Sequence, residues 1–94
     1  MSNTTSFAQI AALAGDPARV SMLHALMDGR ALTAGELARA AGVAPQTASS
    51  HLGRLVTSGI IAVEKQGRHR YHRLATPSVA RMIESIMQVA AELQ

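Results

Sequence analysis

The stretch that decides the fold is residues 32–74, LTAGELARAAGVAPQTASSHLGRLVTSGIIAVEKQGRHRYHRL. The segment TAGE at residues 33–36 has the form of a capping box, in which the threonine hydroxyl and the glutamate carboxylate each bond a backbone N–H at a helix start. A helix is therefore expected from about Ala34 to Ala41. Gly42 stands where a left-handed residue ends that helix, and Pro45 suits the first turn of the next one. Two helices this close together predict a helix-turn-helix.

The second of these helices is followed by a change of period. Ala48, Leu52 and Leu55 lie on one helical face, and SG at residues 58–59 ends the helix. From Ile61 onward the pattern alternates as in a strand, and a second extended run reaches Leu74 after the turn QGRH at residues 66–69. A hairpin directly after a helix-turn-helix predicts the wing of a winged helix-turn-helix.

Helical patterns also flank this core. Residues 1–5 are polar and expected to be frayed, and a short first helix then ends at Gly15. Asp16 is a candidate N-cap before Pro17, and the second helix carries an apolar stripe, up to Gly29, of Val20, Met22, Leu23, Leu26 and Met27. A last helix opens at Pro77 and runs to residue 93. The predicted fold class is mainly α with a two-stranded β-hairpin wing, in the order ααααββα, as a single domain covering residues 1–94.

Composition narrows the classes of function. The 94 residues carry a formal net charge of +3 and contain no cysteine, which removes disulfides and thiolate metal sites and fits a reducing cytoplasm. Neither a membrane span nor a signal peptide is recognisable. The segment 54–73 concentrates basic residues and contains one acid, Glu64. Such a surface suits a polyanionic partner.

Residues 32–74 resemble the core of ArsR/SmtB-family repressors. The matching pieces are TAGELA, ASSHLGRL, SGII and KQGRHRYHRL, in that order along the chain. The resemblance implies a winged helix-turn-helix, with the two terminal helices as the dimer interface. It also implies a dimeric transcriptional repressor that binds double-stranded DNA at an inverted-repeat operator.

The apolar pattern of the last helix agrees with a dimer. Its seam follows steps of three and four residues and has no obvious partner inside so small a domain, so a second copy would supply one. Ile83, Ile86 and Leu93 are expected to remain in water otherwise. The candidate interface residues are Phe7, Ile10, Val79, Met82, Ile83, Ile86, Val89, Ala90 and Leu93.

Candidate DNA contacts lie on the reading helix and on the wing. Exposed residues in the first turns of a helix reach base edges in the major groove, and Gln46 can read adenine with two hydrogen bonds. The wing supplies Arg68 at its tip, placed to enter the minor groove, and Arg70 nearby. Arg70 and Arg73 are each explained either by a contact with phosphate or by a charge that keeps the edge strand soluble. The reading-helix candidates are Gln46, Thr47, Ser49, Ser50, His51 and Arg54.

Two positions on the reading helix, His51 and Ala44, need separate comment. His51 is as well explained by a bond to a neighbouring backbone group as by a DNA contact. Ala44 stands where the family commonly has Ser or Thr as the N-cap, so the reading helix should start about 1 kcal/mol less stably unless a phosphate supplies the acceptor.

The metal sites known in the family do not carry over. The cysteine position at the start of the third helix reads Thr33, and the last helix has Thr76, Ser78 and Val89 where Asp and His ligands would stand, which leaves only Glu92. No metal site and no cofactor are therefore assigned, and a small-molecule effector stays open.

Three other functions would need different residues. A winged-helix module that binds protein would show acidic or apolar residues on the reading helix and wing tip, where this chain is polar and basic. A metal-responsive repressor with a non-standard site is a further alternative. An enzyme is not expected, because Ser49 and His51 point apart on their helix and no phosphate loop is present.

Overall fold

The computed structural model describes residues 3–94 and confirms the predicted order ααααββα. Helix α1 includes residues 3–5, so the expectation that they are frayed is wrong; residues 1 and 2 lie outside the described part. The elements are α1 (Asn3–Ala14), α2 (Pro17–Ala25), α3 (Ala34–Ala41), α4 (Pro45–Thr57), β1 (Ile61–Gln66), β2 (His69–Leu74) and α5 (Pro77–Glu92).

The core lies where α2, α3 and α4 meet the base of the hairpin. Every one of these elements contributes a buried aliphatic side chain, and α5 adds Ile83 at 9% exposure. The expectation that Ile83 stays in water without a partner is therefore wrong. The core side chains are Met22, Leu23, Leu26, Leu37, Ala38, Ala48, Leu52, Leu55, Ile60, Ile61 and Ile83.

Helix α2 buries a different stripe from the predicted one. Val20 is 47% exposed, whereas Arg19 is buried together with Met22 and Leu23. Positions 19, 22, 23 and 26 share one face of a helix, so the charged residue at position 19 belongs to the inward stripe. The predicted N-cap is confirmed, since Asp16 Oδ1 accepts from the backbone N–H of Ala18 and of Arg19.

The helix-turn-helix begins and turns as the sequence predicts. Thr33 Oγ1 accepts from the backbone N–H of Glu36 at 3.2 Å, and the Glu36 carboxylate accepts from the backbone N–H of Thr33 at 2.9 Å, which completes the capping box. Gly42 has φ 67°, a left-handed conformation that favours glycine. It ends α3 and leaves two residues before Pro45 opens α4.

The wing is an antiparallel hairpin whose register runs from Ile61 opposite Leu74 to Gln66 opposite His69. Gly67, with φ 62°, and Arg68 form its two-residue turn. Burial falls along both strands from the base to the tip, so the base of the hairpin packs on the core while its tip is exposed.

A short bridge that the sequence did not predict ties the wing to the segment before α3. The backbone N–H of Leu32 donates to the His72 carbonyl at 2.9 Å, and the His72 N–H donates to the Leu32 carbonyl at 2.7 Å. The His72 ring lies 3.2 Å through Nδ1 from the same carbonyl. Burial of this imidazole lowers the pKa of His72 below its usual 6.5, although the bond to Leu32 opposes the shift.

Helix α5 starts at the N-cap Thr76, whose hydroxyl accepts from the backbone N–H of Val79.

Among residues 3–94, none of the helices combines the length and the apolar character that crossing a membrane requires.

Candidate nucleic-acid interface

Helix α4 has one buried face and one polar, exposed face. Ala48, Leu52 and Leu55 are buried against the core. Five of the six candidate contacts on this helix lie on the other side and are exposed: Gln46, Thr47, Ser49, Ser50 and Arg54. The helix therefore presents amide, hydroxyl and guanidinium groups to solvent over its first three turns, which are groups that read base edges and phosphates.

The first turn of α4 has no side-chain cap. Ala44 is the N-cap residue and provides no acceptor, as the sequence predicts, and Pro45 occupies the first helical position. The free backbone N–H groups and the helix dipole make this end favourable for an anion.

The wing tip carries unneutralised positive charge. Glu64 is engaged by Arg73, with Arg73 Nε 2.7 Å from Glu64 Oε1. Arg73 also donates to the carbonyls of Leu74 and Ala75, so it serves the base of the hairpin and is not a free cation at the tip. The charge at the tip comes from the exposed Lys65, Arg68 and Arg70.

His51 differs from the other candidates because it is half-buried and already bonded. Its Nδ1 lies 3.0 Å from Nη1 of Arg19, and its Nε2 lies 4.0 Å from Oδ1 of Asp16. The backbone N–H of Arg19, which donates to Asp16, lowers the pKa of the Asp16 carboxyl below its usual 3.8, so this carboxylate stays ionised beside the imidazole. The histidine is thus bonded within the protomer, but to side chains and not to the backbone group that the sequence analysis expected.

The two terminal helices expose apolar surface on one side of the protomer. Phe7 is 75% exposed and Leu93 is 82% exposed, and Ile86, Val89 and Ala90 are exposed between them. Ile10, Val79 and Met82 are half-buried against the core, and Ile83 is inside it. An apolar groove of about 570 Å³ runs between α1 and α5 and is lined by residues that include Phe7, Ile10, Ala14, Met82 and Ile86.

Within residues 3–94, no three His, Asp or Glu side chains come together in a way that would hold a metal ion. His69 is exposed and His72 is buried, in keeping with their opposite faces of β2.

Comparison with known families gives a match to a helix-turn-helix domain over residues 14–64, which is more than half of the chain. The chain belongs to this helix-turn-helix family. The matched segment covers α2, α3, α4 and most of β1; it contains every core side chain except Ile83 and carries the polar face.

A similar curated protein is the uncharacterized HTH-type transcriptional regulator YdfF of Bacillus subtilis (strain 168), which is 51% identical over 85 residues. That alignment covers 90% of this chain but 38% of the relative, so the chain spans well under half of the length of the regulator it matches.

Among solved structures, similar folds cover nearly the whole chain. The homodimeric winged helix-turn-helix DNA-binding domain of Mb0332 from Mycobacterium bovis, described as a possible ArsR-family transcriptional regulator, has a TM-score of 0.84 at 25% identity, covering 98% of this chain and 89% of that one. Rv0081 of M. tuberculosis has a TM-score of 0.87 at 24% identity, covering 99% and 94%. The winged helix-turn-helix fold and the resemblance to ArsR-type regulators inferred from the sequence are confirmed.

The residue that sequence reasoning missed is Arg19. It lies on α2, away from the family's reading helix, and its guanidinium contacts His51 on that helix. The signal that points to it is its place on the stripe with Met22, Leu23 and Leu26, since a charged residue on a buried helix face needs specific partners.

Proposed function

We propose that this chain is the DNA-reading domain of a transcriptional regulator. The observation that carries the proposal is the division of α4 into a buried aliphatic face and an exposed face of amide and hydroxyl groups, beside a hairpin whose tip is positive. A helix of this kind fits the major groove, where Gln46 and Ser50 would contact bases. Arg68 would hold the adjacent backbone or minor groove.

The regulator is proposed to act as a homodimer through α1 and α5. The exposed apolar side chains of these helices support this, as does the homodimeric state given for the similar domain of Mb0332. A two-fold dimer presents two reading helices to successive major grooves, so the operator is an inverted repeat with half-sites about one helical turn apart.

Repression follows from the resemblance to ArsR/SmtB proteins and from the mode of binding, because a dimer seated on an operator excludes other proteins from the same stretch of DNA. The cytoplasm is the compartment in which it would act. The family's metal-ligand positions hold Thr33, Thr76, Ser78 and Val89 in this chain, and no effector is proposed.

The test distinguishes protein contacts with bases from protein contacts with phosphates. A duplex selected from a random library by the purified protein is compared with a scrambled duplex. Gln46→Ala should cost about 1–3 kcal/mol on the selected duplex and little on the scrambled one. Arg68→Ala should weaken both and reduce the salt dependence by about one released counterion.

Matched controls come from α5, where Gln88 and Arg81 are exposed. Gln88→Ala and Arg81→Ala should leave both affinities unchanged. If Gln46→Ala and Arg68→Ala stay folded by circular dichroism and bind both duplexes like the parent, the chain is better explained as a protein-binding winged helix.

A further inference from the structure

The strongest unexplained feature is the buried guanidinium of Arg19, which is 7% exposed. Its Nε donates to the Leu13 carbonyl at 2.6 Å, and its Nη2 donates to the Ala12 carbonyl at 3.3 Å. Its Nη1 lies 3.0 Å from Nδ1 of His51. One side chain of α2 therefore joins the end of α1 to the middle of α4.

The chemistry of the pair fixes the state of the imidazole. A guanidinium has only donors, so Nδ1 of His51 must accept from Arg19 and cannot carry a proton. The ring proton is then on Nε2, on the side of Asp16 Oδ1, 4.0 Å away. The bond exists only with a neutral imidazole.

The bridge spans a place where the two helices are otherwise separated. A groove of about 810 Å³ lies between α1 and α4, and Arg19 lines it together with Leu13, Ser49 and Gly53. Because the last carbonyls of a helix have no partner within it, Ala12 and Leu13 provide fixed acceptors at the end of α1. Arg19 thus links α4 to the end of α1 across this groove.

We propose that Arg19 is a positioning residue for DNA reading. Its bond to His51 sets the placement of α4 relative to α1, and hence the placement of the two reading helices in the dimer. The inference rests on the proposed function. Base contacts need side chains held to about 0.5 Å, whereas phosphate contacts tolerate more, so losing the bond lowers operator discrimination more than general DNA affinity.

The experiment compares His51→Asn with His51→Leu. The asparagine amide oxygen replaces Nδ1 as an acceptor for Arg19, and leucine fills similar space without an acceptor. His51→Asn should bind the selected duplex within about twofold of the parent, and His51→Leu should bind it about tenfold more weakly, the loss typical of one hydrogen bond to a charged group. Both should bind the scrambled duplex like the parent.

Arg19→Lys tests the other end of the bond, because lysine keeps the charge and loses the planar fork. It should lower discrimination as His51→Leu does, and the double variant should be no worse than either single one, since both remove the same contact. Circular dichroism and sedimentation confirm that each variant is a folded dimer, and His51→Leu alone decides the question if Arg19→Lys does not fold.

Full discrimination by folded His51→Leu, or a His51→Asn variant that binds the selected duplex as weakly as His51→Leu, overturns the positioning role. In both cases Gln46→Ala still reports DNA reading; a parent that selects no duplex overturns the proposed function and this inference together.

Discussion

The helix-turn-helix in the middle of the chain and the helices at its two ends are built from similar residues but are buried very differently. Helices α3 and α4 send Leu37, Leu52 and Leu55 into the core, whereas none of the α1 residues from Asn3 to Ala14 is buried. Helix α5 buries Ile83 and leaves Leu93 82% exposed. Both regions are therefore rich in apolar residues, but only those of α3 and α4 are largely packed against other elements of the same protomer.

Stability depends mainly on the centre of the chain, and assembly depends on its two ends. The centre is complete within one protomer, because its aliphatic side chains already have close-packed neighbours. The ends keep apolar area in water that association of two copies would remove. Changes in the centre should therefore act on folding, and changes at the ends should act on assembly.

The largest expected effect is at the centre. Leu55 is fully buried, and Leu55→Ala should lower the free energy of unfolding by about 2–5 kcal/mol through lost burial and the cavity left behind. The neighbouring Val56 is 36% exposed, so Val56→Ala should cost far less. Urea unfolding of both variants at one protein concentration measures the difference. Equal losses would show that the two faces of α4 are not distinguished as described.

The next effect contrasts two residues of α5, one that acts on folding and one that acts on dimer assembly. Ile83→Ala should lower the free energy of unfolding by about 2 kcal/mol and leave a dimer at micromolar concentration, because its side chain lies in the core. Ile86→Glu should keep the protomer folded and raise the dimer dissociation constant more than about tenfold, because a charge would be buried between the copies. Sedimentation separates the two. If the unsubstituted protein sediments at about 10 kDa, it is a monomer and the proposed dimer is wrong.

The sequence was sufficient wherever a local signal decided the structure. The capping box at residues 33–36, the left-handed Gly42 and the hairpin turn each depend on neighbouring residues, and all three lie where the pattern placed them. The polar face of α4 was also predictable, because the same period that buries Leu52 and Leu55 exposes the residues between them.

What the sequence could not show is which distant groups meet. Arg19 and His51 are 32 residues apart, and no local pattern joins a guanidinium on α2 to an imidazole on α4. The bridge between Leu32 and His72 depends on a separation of 40 residues. Ile83 was misjudged for a related reason, since the period of α5 shows an apolar face but not how far the core extends along it.

A smaller effect compares the starts of the two central helices. Thr33→Ala removes the capping box of α3 and should cost about 1 kcal/mol, whereas Ala44→Ser supplies the acceptor that α4 lacks and should add up to about 1 kcal/mol. Thermal and urea unfolding give both values. If Ala44→Ser adds nothing, the first turn of α4 gains its acceptors elsewhere.

The smallest expected effect is a pH dependence at the junction between the wing and the core. Burial lowers the pKa of His72 below 6.5 in the folded protein, so the unfolded chain takes up a proton at this residue at a higher pH than the folded one does. The stability associated with the neutral ring is therefore fully present above about pH 6.5 and is lost as the pH falls from there towards the folded-state pKa. His72→Asn keeps an N–H donor near Leu32 without a titrating ring, so its free energy of unfolding should fall less than that of the parent between pH 8 and pH 5.5. His69→Asn, on the exposed tip of the same strand, should follow the parent, and an equal loss in the parent and in His72→Asn would mean that the buried ring does not contribute to the acid sensitivity of the fold.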